Sequence, residues 1–301
     1  MDSFNPDIVI LHAPNPFTEF FTLKYLKPSM NFIVYWHSDI VKQKIGDALF
    51  RSLQMKLLDR AAAIVATSPN YIKGSKYLSY FAEKCTVVPN CIDENGLTVT
   101  DEIAKKSLEI RNENKGKTIC CCVGRQVPYK GFEYVVQAMK QLDSNFILYL
   151  IGRKGESTPE ISKLSEGMSN VVMLGEADNS TLIAYLNACD IFCFPSITKN
   201  EAFGIALAEG MYFNKPAITF TIPGSGVNYV SIDGQTGIEV ANKDVKAYAN
   251  AMKKIGSDAD LRKKLGDAAG QRVRDLFLER EFADNINTLF EKLGGGVLPK
   301  R

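Results

Sequence analysis

The sequence predicts an α/β protein built on parallel sheets and divided into two domains. Three observations predict it. Short continuous apolar runs, DIVILH, NFIVYW, TICCCV and FILYLI among them, alternate with longer helical patterns. Strands covered on both faces read as continuous runs of this kind rather than as alternating ones. Each run ends in a loop that leads into a helix, which is half of a βαβ unit and makes neighbouring strands parallel. At 301 residues the chain is long enough for two domains of ordinary size, each with its own core.

Composition narrows the class. The chain is 46% hydrophobic and 23% charged, a globular balance. Its 36 basic and 34 acidic residues leave a net charge of +2, which gives no global case for nucleic acid. No apolar run reaches the ~18 residues of a membrane span, and MDSFNPD does not read as a signal peptide. Seven cysteines, at 85, 91, 120, 121, 122, 189 and 193, form no C-x-x-C pair. Three are consecutive in an apolar run, where alternate side chains face opposite ways. They read as buried free thiols of a reducing cytoplasm. With two histidines in the chain, no zinc site is expected.

In chain order, DIVILH is a first strand, followed by the loop Ala-Pro-Asn-Pro and a helix to about Leu26. NFIVYW is the next strand and delivers His37, Ser38 and Asp39 at its carboxyl end, where open α/β sheets bind ligands. His12 holds the same place on the first strand. A helix over about Ile40 to Ala61 carries Lys42, Lys44, Arg51, Lys56 and Arg60, with Leu49, Phe50, Leu53, Leu57 and Leu58 between them. That basic face is either solvated or drawn to anionic lipid. Strands follow at 62–67 and 86–89. Residues 94–117 read as a polar linker with one helical patch, and the domain boundary falls near 95. Beyond it come strands at 118–123, 146–151, 171–174, 191–194, 217–220 and 237–240. From Asp244 the pattern is helical almost to Leu293, broken near Gly256.

Two stretches carry chemistry. In FPSITKNEAFGIALAEG a strand ends in Pro195-Ser196, a polar loop follows, and a helix begins near Phe203. The amides of Phe203, Gly204 and Ile205 then lack intrahelical partners and favour an anion. Gly204 lets a phosphate approach. Glu201 stands just before these amides. Glu209 lies about 7.5 Å along the helix from Gly204. In VGRQVPYKG, Arg125 and Lys130 place two cations at another strand–helix junction, suited to a diphosphate. E-x7-E alone is an ordinary helix start with two solvated glutamates, and two loop cations alone are ordinary surface charge.

Together, GRQVPYKG and EAFGIALAE, with His37 in YWHSD and the Pro-Gly-Ser-Gly turn at 223–226, resemble the retaining glycosyltransferases of the GT4 family. The resemblance runs in order over nearly the whole chain. It implies the GT-B fold, two Rossmann-like domains facing across a cleft. Residues 1–95 are then the acceptor side, 96–280 bind the nucleotide-sugar, and a C-terminal helix in 281–301 crosses back. It further implies that Arg125 and Lys130 hold the donor diphosphate, Glu201 and His37 lie at the sugar, and Glu209 binds the ribose. Beside the resemblance, His12 reads as structural or acceptor-lining and Asp39 as orienting His37 or meeting the acceptor, while the resemblance implies that the loop of Gly224 and Ser225 faces the site and supports the sugar or phosphate. The family's front-face displacement requires no protein nucleophile, unlike a retaining glycosidase. No cofactor or metal is expected beyond the UDP- or GDP-linked donor, because two cations serve the phosphates. The acceptor is a saccharide or a lipid-linked glycan at the cytoplasmic face of the membrane.

The family opens with strand–loop–helix units ahead of anything like DIVILH, so the N-terminal domain reads as incomplete. A shortened piece, a late start in the gene, or a short form completed by a second chain all stay open. On this reading the isolated chain binds nucleotide but transfers sugar poorly. A non-catalytic nucleotide-sugar-binding or scaffold protein is the competing reading. A dinucleotide dehydrogenase is disfavoured, since no G-x-G-x-x-G follows a strand.

Overall fold

The computed structural model describes residues 6, 8–27, 30–39 and 47–294. The N-terminal unit runs β1 (Val9–Ala13), α1 (Pro16–Tyr25), β2 (Phe32–Trp36), α2 (Asp47–Arg60), β3 (Ala63–Ala66), α3 (Pro69–Gly74) and β4 (Cys85–Val87). Its four strands form a parallel sheet in the order β1-β2-β3-β4. All five residues of β2 are buried. Phe32, Val34 and Trp36 pack under the helices with Leu57, Leu58 and Tyr71. Ile33 and Tyr35 face the other way, into a second cluster.

The second unit contains α4 (Asp101–Glu113), β5 (Thr118–Val123), α5 (Phe132–Met139), β6 (Phe146–Ile151), α6 (Thr158–Ser165), β7 (Val171–Gly175) and α7 (Asn179–Ala188). It continues with β8 (Ile191–Phe194), α8 (Ile205–Tyr212), β9 (Ala217–Phe220), α9 (Val227–Val230), β10 (Gly237–Val240), α10 (Val245–Ser257), α11 (Ala259–Leu276) and α12 (Glu279–Lys292). Its parallel sheet has the order β10-β9-β8-β5-β6-β7. This is a doubly wound sheet whose order reverses between β5 and β8. The helix α12 leaves this unit and lays Ile286, Leu289 and Phe290 on Ile33, Tyr35, Ala63, Val65 and Val88 of the N-terminal sheet. That cover is why β2 and β3 are apolar on both faces.

Two sequence expectations need correction, and a third falls partly outside the described residues. Residues 94–117 are not a linker: α4 buries Ile103 and Ile110 in the core of the second unit, and Ser107 Oγ donates to the Ala184 carbonyl at 3.1 Å. Its apolar stripe is thin, so the polar surface dominated the reading. The stretch from Asp244 is helical to Lys292 with the expected break near Gly256 falling at Asp258, but it has a second, unexpected break at Phe277-Leu278. Asp258 caps α11, its carboxylate accepting from the Leu261 amide. The basic helix is described over Asp47–Arg60, and Lys42 and Lys44, which the expectation also included, lie outside the described residues.

The two units meet backbone to backbone where α3 ends. A Cβ on Gly74 would stand 2.2 Å from the Cα of Gly224, and one on Gly224 would stand 2.7 Å from the Cα of Gly74. Gly224 also has φ +77°, a region that side chains avoid. Gly74→Ala and Gly224→Ala are each expected to cost about 1–3 kcal/mol through overpacking and to part the units. Small-angle scattering should show a larger radius of gyration, with a lower melting temperature. Unchanged scattering and melting in both variants would show that this contact does not hold the units together.

Candidate functional site

Because β5 and β8 are neighbours and the sheet continues outward from each in opposite directions, the loops that follow them diverge over a crevice. Ligands of open α/β sheets bind at such a switch point. The loop after β5 carries Arg125 and Lys130; the loop after β8 carries Ser196, Lys199 and Glu201. Gly131 lets the two loops close up: it has φ +64°, and a Cβ there would stand 2.2 Å from the Pro195 carbonyl oxygen.

Lys130 Nζ reaches Glu201 Oε2 at 2.5 Å, and both side chains are nearly nine-tenths buried. Ser196 Oγ donates to the same carboxylate oxygen at 3.0 Å. Lys130 also lies over the Phe194 and Tyr129 rings, 5.1 and 5.5 Å from their centroids. Arg125 is exposed at a cavity of about 350 Å³ that it lines with Tyr129, Glu156, Ile197 and Asn200. Glu209 is half-buried on α8. Burial pushes its carboxyl pKa up, and the Lys130 charge partly offsets this.

The helix tip lies slightly later than the sequence suggests. α8 begins at Ile205, capped by Gly204 in the left-handed region at φ 99°. The amides of Leu207 and Ala208 return to the Gly204 carbonyl, at 3.0 and 3.1 Å. Those of Ile205 and Ala206 have no intrahelical acceptor. Phe203 is not part of the helix; it is buried and meets Phe277 edge-on at 5.3 Å.

The N-terminal unit contributes two histidines. The parallel register sets His12 opposite Tyr35, and His37 follows Tyr35 on the same face. His12 Nδ1 and His37 Nε2 are 2.8 Å apart, so one donates and the other accepts. Both rings stack on Tyr35, at 5.4 and 4.6 Å between centroids. Tyr35 is fixed by its hydroxyl donating to Asn90 Oδ1 at 3.1 Å. Partial burial, and then the neighbouring His12, hold the His37 pKa below its ordinary value. Both histidines remain exposed at the carboxyl ends of β1 and β2.

Asp39 does not line the acceptor side. Its side chain is 1% exposed, and its carboxylate accepts from Trp36 Nε1 (3.1 Å), Ser75 Oγ (2.7 Å), the Lys76 amide (3.3 Å) and Lys199 Nζ (3.0 Å). Lys199 donates also to the Gly74 carbonyl at 2.9 Å. Asp39 is thus a structural node joining the N-terminal unit to the loop that carries Glu201. Thr67 Oγ1 adds a bond at 3.4 Å to the carbonyl of Ala202. Gly224 is taken up by the contact with Gly74. Ser225 is fully buried, and its hydroxyl donates to the backbone carbonyl of Glu201. Both shape the site from behind instead of facing a ligand. Sequence reasoning missed Ser196, Lys199, Tyr35 and Asn90. Ser196 and Lys199 stood in a loop already marked as chemical; Tyr35 looked like core.

Comparison with known proteins matches both halves. The profile described as "Glycosyl transferases group 1" covers residues 104–272, and that described as "Glycosyltransferase Family 4" covers residues 1–95. The chain is 32% identical over 274 residues to the D-rhamnosyltransferase WbpZ of Pseudomonas aeruginosa, spanning 90% of this chain and 70% of that protein. It is 28% identical to the O-antigen chain mannosyltransferase C of Escherichia coli, spanning 95% of this chain and 76% of that protein. Anabaena Alr3699/HepE, solved in complex with UDP, superimposes with a TM-score of 0.78 at 16% identity, over 95% of this chain and 78% of that one. That likeness establishes the fold.

The buried node and the histidine pair each give a test. Asp39→Asn sets an amide among four donors, and its expected cost is about 3 kcal/mol. Lys199→Met leaves Asp39 its other donors and costs about 1 kcal/mol. Denaturant unfolding measures both, and equal effects would refute the ranking. For the pair, His12→Asn removes a neighbouring charge, so the His37 midpoint followed by NMR should rise. It should stay below the ordinary value of about 6.5, because burial is the larger cause. As pH falls through the His37 midpoint, wild type loses stability, since the folded state resists the proton that the unfolded chain accepts.

Proposed function

Because the chain belongs to the group 1 glycosyl transferases, with the GT-B fold, we propose that it transfers a hexose, with retention, from a nucleoside-diphosphate sugar to a glycan acceptor in cell-surface polysaccharide synthesis. The observation that carries this reading is the crevice at the β5/β8 switch point. There, two cations and two free helix amides from one unit lie in a loop system pinned beside the histidine-bearing strand of the other. The relatives named for rhamnosyl and mannosyl transfer favour a sugar of the manno series, D-mannose or its 6-deoxy form, D-rhamnose.

In this mechanism the diphosphate takes Arg125 at the rim, Lys130 within, and the amides of Ile205 and Ala206. Arg125 meets two phosphate oxygens and Lys130 acts as a point charge. Glu209, half-buried on α8, accepts from the ribose hydroxyls. Binding draws Lys130 toward phosphate and frees Glu201 to accept from sugar hydroxyls. The bond from the anomeric carbon to the phosphate oxygen breaks, and Arg125 and Lys130 stabilise the charge that grows on the leaving group. The acceptor hydroxyl attacks the same face, and its proton passes to the departing phosphate oxygen. His37 and His12, joined by their short ring-nitrogen contact, hydrogen-bond the sugar or the acceptor. The two cations serve the phosphates, so activity is expected to survive a chelator.

A thermal-shift titration with UDP, GDP and ADP tests the donor site, since a ligand of the folded state alone stabilises by about 2.7 kcal/mol at a hundred times its Kd. One nucleotide should stabilise wild type, and Glu209→Ala should weaken that binding at least about tenfold. Glu201→Gln should still bind nucleotide while losing about a hundredfold or more in transfer from the corresponding sugar nucleotide. No shift with any nucleotide would instead favour a non-catalytic scaffold.

A further inference from the structure

The cavity beside Arg125 has walls for which the donor has no use. Arg125, Tyr129, Glu156, Ile197 and Asn200 line its volume of about 350 Å³. Lys130, Glu201 and Glu209, which meet the diphosphate, the sugar and the ribose in the proposed mechanism, are not among those walls. The cavity is therefore a second space, and it shares Arg125 with the first. Asn200 directly precedes Glu201 in the chain, so this space opens next to the donor sugar.

Its size is that of a small-molecule site, and its walls are held without a ligand. Pro128–Lys130 is a single 3-10 turn, whose proline fixes the backbone. The Ile197 amide donates to the Tyr129 carbonyl at 2.9 Å, and Asn242 Nδ2 donates to the Ile197 carbonyl at 3.0 Å. The loops after β5 and β8 are thus tied together at the cavity, and little ordering remains when a ligand enters.

The polar groups here are poised and unused. Among the described residues, the side chains of Arg125, Tyr129, Glu156 and Asn200 make no hydrogen bond or ion pair. A carboxylate accepts hydrogen bonds and a carboxamide both accepts and donates, so Glu156 and Asn200 can grip neighbouring hydroxyls. An aromatic ring packs well on the C–H face of a pyranose. The Tyr129 ring supplies it, steadied by Lys130 at 5.5 Å from its centroid, and Ile197 adds an apolar wall. With Arg125 committed to the diphosphate, the remaining charge in the cavity is that of Glu156, which repels a second anion and favours a neutral ligand.

We propose that this cavity holds the reacting end of the acceptor as a neutral saccharide. A pyranose packs on Tyr129, and its hydroxyls bond Glu156 and Asn200. The inference rests on the proposed donor site, and it puts part of the acceptor on the second unit instead of on residues 1–95 alone. The same two loops then orient both sugars, with the attacking hydroxyl directed past Asn200 toward the donor sugar.

Saturation-transfer NMR with methyl α-D-mannoside and an α-linked mannobiose tests this, without nucleotide and then with a saturating nucleoside diphosphate. Wild type should transfer saturation to the sugars in both conditions. Glu156→Gln and Asn200→Ala should each weaken sugar binding about fivefold, and Tyr129→Ala about tenfold. Glu156→Gln and Asn200→Ala should leave the thermal shift with nucleotide as in wild type and, with mannobiose as acceptor, raise the acceptor KM but not the donor KM. Thermal melting checks that each variant stays folded. Three results would overturn the proposal: no saturation transfer to either sugar, a signal that nucleotide displaces, or Glu156→Gln and Asn200→Ala weakening the nucleotide instead of the sugar. Failure of the donor site itself reads differently: no nucleotide shifts wild type, and the sugar titration without nucleotide still reports on the cavity.

Discussion

The ion pair between Lys130 and Glu201 sets the terms for the crevice at the β5/β8 switch point. Either charge buried there alone would carry an uncompensated desolvation cost, while the two together satisfy each other. Keeping them 2.5 Å apart demands a close approach of two loops from different strands. Several features serve that approach. Gly131 leaves room for the Pro195 carbonyl, Ser196 supports the carboxylate, and the Ser225 hydroxyl holds the Glu201 backbone. The crevice without ligand is therefore internally neutral at its floor, with Arg125 exposed at the rim. A diphosphate entering it offers Lys130 a second anion, and the carboxylate then needs other donors. Sugar hydroxyls are donors of that kind, which is how one pair could answer to both halves of a nucleotide-sugar.

The second half of the site depends on Asp39. Its carboxylate is built into the N-terminal unit by Trp36, Ser75 and the Lys76 amide, and its remaining bond goes to Lys199. Lys199 is two residues from Glu201, and Asp39 is two residues from His37. One contact thus fixes the loop of the carboxylate relative to the strand of the histidines. The Gly74–Gly224 approach sits beside it, and Lys199 bonds the Gly74 carbonyl as well. A change in the loop after β8, of the sort a ligand on Glu201 would bring, is felt directly at this junction between the units.

The strands were legible because most are covered on both faces, so their runs are continuous. In the N-terminal sheet that cover comes in part from α12, more than two hundred residues away in the chain. The loops with chemistry were legible too, since strand ends, glycines and charges coincide in them. Asp39 was not. A carboxylate at the end of a strand reads the same whether it meets solvent or four donors, and those donors come from 3 to 160 residues away. Ser225 was misread for the same reason: its partner is the backbone of Glu201, which no local pattern reveals. In α1, periodicity predicted the helix but not which side faces in. α4 was read as a linker because a thin apolar stripe was set in polar surroundings.

The two sides of the cleft differ in charge, and that difference has a consequence for orientation. His12 and His37 are close enough that protonating both rings would bring two N–H groups face to face. The His37 pKa is accordingly held down by burial and by its neighbour. The lowered His37 pKa favours its neutral imidazole beside His12, whereas Arg125 and the α8 tip present positive potential in the crevice of the second unit, where Glu201 neutralises Lys130. An anionic group is drawn to the second unit, and a neutral sugar meets no penalty beside the histidines. On the proposed function, a donor with a diphosphate at one end and a hexose at the other would be oriented by this asymmetry before any specific contact to its base forms. Lowering the pH through the His37 midpoint would charge that ring and erode the distinction, so orientation and the neutral state of His37 are linked through the same short contact.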